Sequence, residues 1–345
     1  MTSLWHASDP NTPISLQTPL LYADRLRIRQ PGDAKFALGP HQDGGSVERW
    51  EAGGYGRGGV YDAIFRGEWE AYDPYDASGR VAAVTDMYDG LGACSMFRMF
   101  QGWLAMSRSA PGQGTLLVNP LLRESTAYAL LRPFFRPVQA ADQVAREDFL
   151  DARNWVFTAG QDMTSDLQGA TPGHGQEFPE GMHPHLELEK TMIHMPEVKP
   201  GDFVVWHCDS KQLTWRTNHT VSVGVTHDEP KKLILRTIAI HAVDKRHDGT
   251  GDSSVLYIPV CPTTEESARY VARQRAAFLA GTPAPDFPGG KGESEHVGRP
   301  TEGYVFKYSD PAGVQSIGLE RLVALKDDTP GAKTAIQRAN SILGF

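Results

Sequence analysis

Gly39-Pro40-His41-Gln42-Asp43-Gly44-Gly45-Ser46-Val47-Glu48-Arg49-Trp50 places an imidazole and a carboxylate two residues apart, with a glycine pair directly behind them. On an extended strand, residues i and i+2 project to the same side. His41 and Asp43 can then be neighbouring ligands of one metal ion. A distant histidine as third ligand would complete a two-histidine, one-carboxylate facial set. Such a set leaves positions open for a co-substrate and dioxygen, and it suits non-haem Fe(II). Taken alone the pair is weak evidence, because a chain with 12 histidines will contain such pairs by chance. Gly44-Gly45 and the glycines between Gly53 and Gly59 mark turns or close backbone approaches.

Outward from this stretch the chain alternates short strands and turns. Asp24 to Arg29 (DRLRIR) alternates apolar and basic residues, the period of a half-buried strand, and a turn follows at Gln30-Pro31-Gly32-Asp33. Ser95 to Met106 is aromatic-rich and strand-like, and Gly114 to Val118 is a further strand. Asn119-Pro120 opens a helical stretch that runs through Leu131. Thr158 to His185, rich in Gly, Pro and polar residues, reads as a long surface loop. Pro200-Gly201-Asp202 turns the chain into the buried strand Phe203 to Trp206, and Ser254 to Pro259 is another strand. Thr263 to Ala280 and the region after about Val314 are helical. Many short strands with helices outside them imply an all-β barrel or jelly roll carrying helical additions.

The totals exclude several classes. The net charge is -8 with no run of Lys or Arg, which argues against nucleic acid as a partner. No apolar run approaches the roughly 20 residues that span a bilayer, and Met1 to Leu20 has no secretory pattern. Three widely spaced cysteines, Cys94, Cys208 and Cys261, form no disulfide framework or zinc knuckle. A cytoplasmic protein acting on a small molecule is the expectation, with its oligomeric state open.

The segment L-R-I-R-Q-P-G-D-x-x-F-A-L-G-P-H-x-D-G-G-S-V-E-R-W resembles the family catalogued as domain of unknown function 1479. The resemblance continues through Cys94 to Trp103, Pro200 to Asp209, His241 to Pro262 and the helix ending R-Q-R-A-A-F-L, and so covers most of residues 20–290. It implies a branch of the clavaminate-synthase-like Fe(II)/2-oxoglutarate oxygenases. The implied fold is mainly β (α+β), a double-stranded β-helix of cupin-like jelly-roll type with flanking helices. It implies one oxygenase-like domain over 1–345, shortened by an N-terminal helical stretch that family members carry. The implied cofactors are Fe(II) and 2-oxoglutarate as co-substrate.

In the family pattern W-H-C-D is followed two residues later by H-A-V. Here W-H-C-D ends at Asp209 and His241-Ala242-Val243 begins about 29 residues later than that spacing. Residues 210–239 therefore read as an insertion, either translated intron sequence or a recent addition. Matching the family across it makes His241 the third metal ligand, with Asp244 just beyond. His241 is preferred to His207, and His207 to His219 or His227 inside the insertion; Gln212 stands where related oxygenases place the ligand after that strand. The arginine that usually anchors 2-oxoglutarate falls near Asp252-Ser253-Ser254 and is missing. Arg98 is the first substitute, with Gln101 as neighbour and Arg246 or Arg29 behind it.

Structural readings stand beside these. Glu48, Arg49 and Trp50 either face substrate or form a structural ion pair with a packed indole. Trp103 and Phe100 read as core, Asp202 as a turn residue, Cys208 and Cys261 as small buried hydrophobes. His183-Pro184-His185 reads as solvated loop before second metal site. Three functions remain: an oxidoreductase that hydroxylates or otherwise oxidises a C–H bond, a catalytically impaired jelly-roll binding protein, and a cupin-like metal hydrolase or isomerase.

Overall fold

The computed structural model describes residues 4–34, 37–90, 95–158, 160–208, 233–235, 240–286 and 292–345. Cys94 and most of the 210–239 stretch, with Gln212, His219 and His227, lie outside them. Ten strands build the two principal sheets: β1 (Leu26–Arg29), β2 (His41–Gln42), β3 (Phe100–Ala105), β4 (Leu116–Val118), β5 (Gln176–Glu177), β6 (Ile193–His194), β7 (Phe203–His207), β8 (Leu233–Leu235), β9 (His241–Val243) and β10 (Ser253–Tyr257). One sheet has the order β8-β7-β3-β10-β1 and the other β5-β2-β9-β4-β6. Every pair is antiparallel except β7 with β8. The architecture is mixed α/β with antiparallel sheets, and successive strands β1 to β4 pass back and forth between the two.

Alternation of side chains along each strand builds the core between the sheets. Trp103 and Ala105 of β3, Val204 and Trp206 of β7, and Leu116 and Val118 of β4 pack with Met195 and Val198 into one cluster. A second core lies outside the sheets. Helix α1 (Leu122–Leu131) is followed by α2 (Glu265–Ala280) and α3 (Pro330–Leu343). The last two pack Ala268, Val271, Ile336, Ala339 and Leu343 around the strand pair Ser15–Leu20 and Cys261–Thr263. Both are strongly capped: Thr264 Oγ1 accepts from Ser267 N and Thr329 Oγ1 from Ala332 N. Gly281 and Gly344 end them at positive φ.

The strand expected over Ser95 to Met106 forms only at Phe100–Ala105, and α1 starts two residues after Pro120. Asn119 Oδ1 accepts from Leu121 N and from the Ser125 hydroxyl and so holds that entry. The larger correction concerns Thr158 to His185. It contains β5, paired with β2, and it buries Gln176, Phe178 and His183. Most of the rest of this stretch is exposed or half-buried, as a surface loop would be. His183 is neither a solvated loop residue nor part of a described metal cluster. Its Nε2 lies 2.7 Å from the Gln168 carbonyl, so this nitrogen carries the proton, and its ring packs on Phe178.

Burial pushes the His183 imidazole down to about 4. A base depressed in the folded state contributes stability above its unfolded value, and that contribution is lost as pH falls toward the folded one. Lowering pH from about 6.5 to 4 should therefore cost the wild type roughly 3 kcal/mol through this residue. Denaturant unfolding at the two pH values should show a smaller loss for His183→Gln, and an equal loss would show that His183 does not titrate with folding.

Candidate metal centre

Strand pairing brings the ligands together. His41 on β2 stands directly opposite His241 on β9, and directly opposed residues share a face. Their rings lie 4.2 Å apart between centroids. Asp43, just past β2, completes the group: Oδ1 is 3.5 Å from His41 Nε2 and Oδ2 is 3.2 Å from His241 Nε2. One donor atom from each of the three lies within 4.8 Å of the others, so the group can hold a metal ion. His41 Nδ1 donates to the Gly39 carbonyl over 2.7 Å, which fixes the tautomer and turns Nε2 toward the shared centre. Gln101 Nε2 donates to Asp43 Oδ2 over 3.0 Å, and the Trp206 ring lies 5.0 Å from that of His241.

Burial opposes ionisation of Asp43, but the charge and hydrogen bond of His241, and then of His41, outweigh it and hold the carboxyl well below the ordinary carboxylate range. Burial also opposes protonation of His41, and Asp43 outweighs it, so that imidazole is pushed up. His241 is pushed down by burial and by the facing His41. An ionised Asp43 and a neutral His241 are the forms that bind a cation.

The rest of the opening motif is framework. Gly44 and Gly45 both adopt positive φ, +77° and +79°, and so turn the chain sharply behind Asp43. The buried Arg49 spans that turn: Nη2 donates to the carbonyls of Asp43 and Gly44, and Nη1 to the Tyr61 hydroxyl. Glu48 accepts from the backbone N–H of Ser46 and Met87. Trp50 Nε1 donates to the Leu130 carbonyl. These residues support the site from behind, and Glu48 and Arg49 bind backbone and Tyr61 instead of one another.

A cavity of about 230 Å³ opens on the triad and is lined by Arg27, Arg98, Gln101, Trp103, Trp206 and Tyr257 among others. Buried polar atoms on its walls, Gln101 Oε1, Thr115 Oγ1 and Trp206 Nε1, have no hydrogen-bond partner among the described residues. Such atoms cost about 1–3 kcal/mol each, so the lining suits a polar ligand. Arg98 lines this cavity and donates to the Tyr22 hydroxyl. Arg246 does not line it: its side chain is exposed beyond β9, where its backbone N–H bonds Asp244. Arg29 lines the cavity with its Nη atoms on backbone carbonyls of Asp33, Gly114 and Asp244. His207 lies elsewhere, stacked on Trp5 with Nε2 against the Pro74 carbonyl. Asp202 caps its turn by accepting from Lys199 N. Trp103, Phe100 and Cys261 are buried, and Cys208 is half-buried beside Arg80. Gly39 and Trp206 are parts of the site that spacing does not mark, and only their place in the same motifs hints at them; Arg49, a candidate to face substrate, instead braces the turn behind Asp43.

A family model described as Gig2-like matches residues 1–221 and 236–319. YbiU of Escherichia coli (strain K12), described as an uncharacterized protein, is 32% identical over 300 residues, which are 87% of this chain and 58% of YbiU. The crystal structure of GlcNAc Inducible Gene 2, GIG2 (DUF1479), from Candida albicans superposes with a TM-score of 0.77 at 32% identity, over 100% of this chain and 67% of that one. A Salmonella typhimurium LT2 structure described as a "Putative Oxidoreductase" gives a TM-score of 0.67 at 29% identity, over 92% of this chain and 61% of that one. The chain thus spans a little over half the length of the curated relative it matches.

Arg49→Lys should lose the forked contact to the two carbonyls and destabilise the fold by roughly 3 kcal/mol. It should also weaken Co(II) binding at the triad, measured by the visible spectrum of the titrated protein. Unchanged affinity would show that the turn behind Asp43 holds without its clamp.

Proposed function

The chain belongs to the Gig2-like family, and from that premise we propose that it is a non-haem Fe(II)/2-oxoglutarate-dependent oxygenase acting on a C–H bond of a small molecule. The observation that carries this reading is the convergence of His41, Asp43 and His241 on a cavity whose mixed lining includes Arg27, Arg98 and Gln101. Two imidazoles and a carboxylate form the donor set that leaves ferrous iron open positions for co-substrate and dioxygen. The Salmonella neighbour's description as an oxidoreductase agrees with this class. The two sheets are the halves of a double-stranded β-helix, a reading supported by strands β1 to β4 alternating between them. Residues 1–345 act as one oxygenase-like domain, and 210–239 are an insertion; the family model leaves 222–235 unmatched, inside that stretch. Among the described residues no helix is long and apolar enough to cross a membrane, and a cytoplasmic small-molecule enzyme remains our reading.

Iron bound at the triad would couple decarboxylation of 2-oxoglutarate to succinate with insertion of one oxygen atom of O2 into succinate and the other into the substrate. The protein's own contribution is placement. His41 presents Nε2 because its other nitrogen is held by Gly39. Gln101 orients the Asp43 carboxylate. The buried indoles of Trp206 and Trp103 form part of the cavity wall. A second reading, a binding protein without turnover, is favoured by one observation: β10, the strand after the distal histidine, carries no arginine.

Iron-dependent formation of succinate from 2-oxoglutarate under oxygen separates the readings. The oxygenase reading expects succinate from the wild type and none from Asp43→Asn or His241→Ala, whose iron affinity should fall by about 100-fold or more. No succinate, with or without iron binding, would remove the oxygenase reading and leave the binding-protein one.

A further inference from the structure

β1 turns its charged side inward. Leu26 and Ile28 are 56% and 54% exposed, while Arg29 is buried, Arg27 is half-buried, and both arginines line the cavity. Strand pairing sets the depth of each. Arg29 stands opposite Ser253 and Arg27 opposite Val255 of β10. β10 in turn sets Val255 opposite Ala105 and Tyr257 opposite Trp103 of β3. Gln101, two residues beyond Trp103 on the same face, reaches Asp43. From the triad inward the cavity therefore passes Gln101, then Trp103 with Tyr257, then Arg27, and ends at Arg29.

The two inward arginines differ in what they hold. Arg29 gives its Nη atoms to three backbone carbonyls and seals the deep end. Arg27 donates to the Tyr257 hydroxyl over 3.4 Å. Tyr257 stands at the level of Trp103, ~7 Å of strand from the Gln101 level, and the Arg27 side chain, rooted one strand pair deeper, meets its hydroxyl. Arg98 stands at the opposite end. Its guanidinium crowds Gly44 beside the triad and its charge acts on His241. A positive wall set back from a metal centre by this distance suits an acid that carries a second carboxylate at its far end, and an arginine fork is the side chain that grips a carboxylate in two places.

We propose that Arg27 and Tyr257 form a carboxylate subsite that holds the distal end of a dicarboxylate oxo acid, while its near end reaches His41, Asp43 and His241. The proposal rests on the oxygenase reading and supplies from β1 the cation that β10 lacks. It assigns the co-substrate anchor to Arg27 in place of Arg98 or Arg246.

The test loads the full chain with Fe(II) without oxygen and follows the visible charge-transfer band on titration with 2-oxoglutarate or 2-oxopentanoate, which has the same chain length but no distal carboxylate. The wild type should prefer 2-oxoglutarate. Arg27→Gln should weaken 2-oxoglutarate by at least about tenfold and leave 2-oxopentanoate unchanged. Tyr257→Phe should act in the same direction but less, and Arg98→Gln should keep the preference. Unaltered 2-oxopentanoate binding certifies a folded, metal-loaded variant. A preference that survives Arg27→Gln, or is lost in Arg98→Gln instead, overturns the anchor and leaves the oxygenase reading standing. No band from either acid in the wild type overturns both.

Discussion

The register that sets His41 opposite His241 is the constraint on which the site depends. β2 has two residues and β9 three, so neither would persist alone; each is held between neighbours in the five-stranded sheet. A slip of one residue would turn one imidazole out of the cavity. Asp43 joins the pair for a different reason. The chain leaves β2 into a turn that needs two glycines at positive φ, and Arg49 locks that turn by its carbonyls. Strand pairing places the nitrogens, and the clamped turn places the oxygen.

Much of this was legible in the motif around His41, because spacing on an extended strand directly constrains direction. The partner histidine was not legible from spacing at all. His241 lies far away in sequence, and only family resemblance selected it over His207, which the structure places against Trp5 and Pro74. The roles of Glu48 and Arg49 were undecidable in sequence, since a buried charge that holds backbone and one that faces a ligand are spelled alike. Thr158 to His185 misled for a compositional reason. Glycine and proline report the absence of regular hydrogen bonding, and they say nothing about burial, so Phe178 and His183 came as a surprise of packing.

The strand Leu26–Arg29 shows a further limit of periodicity. Alternation at period two identifies two faces, and the usual assumption sends the aliphatic one inward. Here the basic face turns in to line a cavity of mixed polar and apolar walls, and Leu26 and Ile28 turn out. Arg246, another candidate anchor, is exposed in the loop after β9.

The indole of Trp206, 5.0 Å from the His241 ring, has a consequence in optics. Of seven tryptophans in the chain, Trp206 packs against the His241 imidazole and shares the cavity wall with Trp103. A transition-metal ion seated between His41, Asp43 and His241 would lie within the range over which such ions quench an excited indole. The protein thus carries an intrinsic emitter beside its candidate metal site, and occupancy would be read by fluorescence without a label.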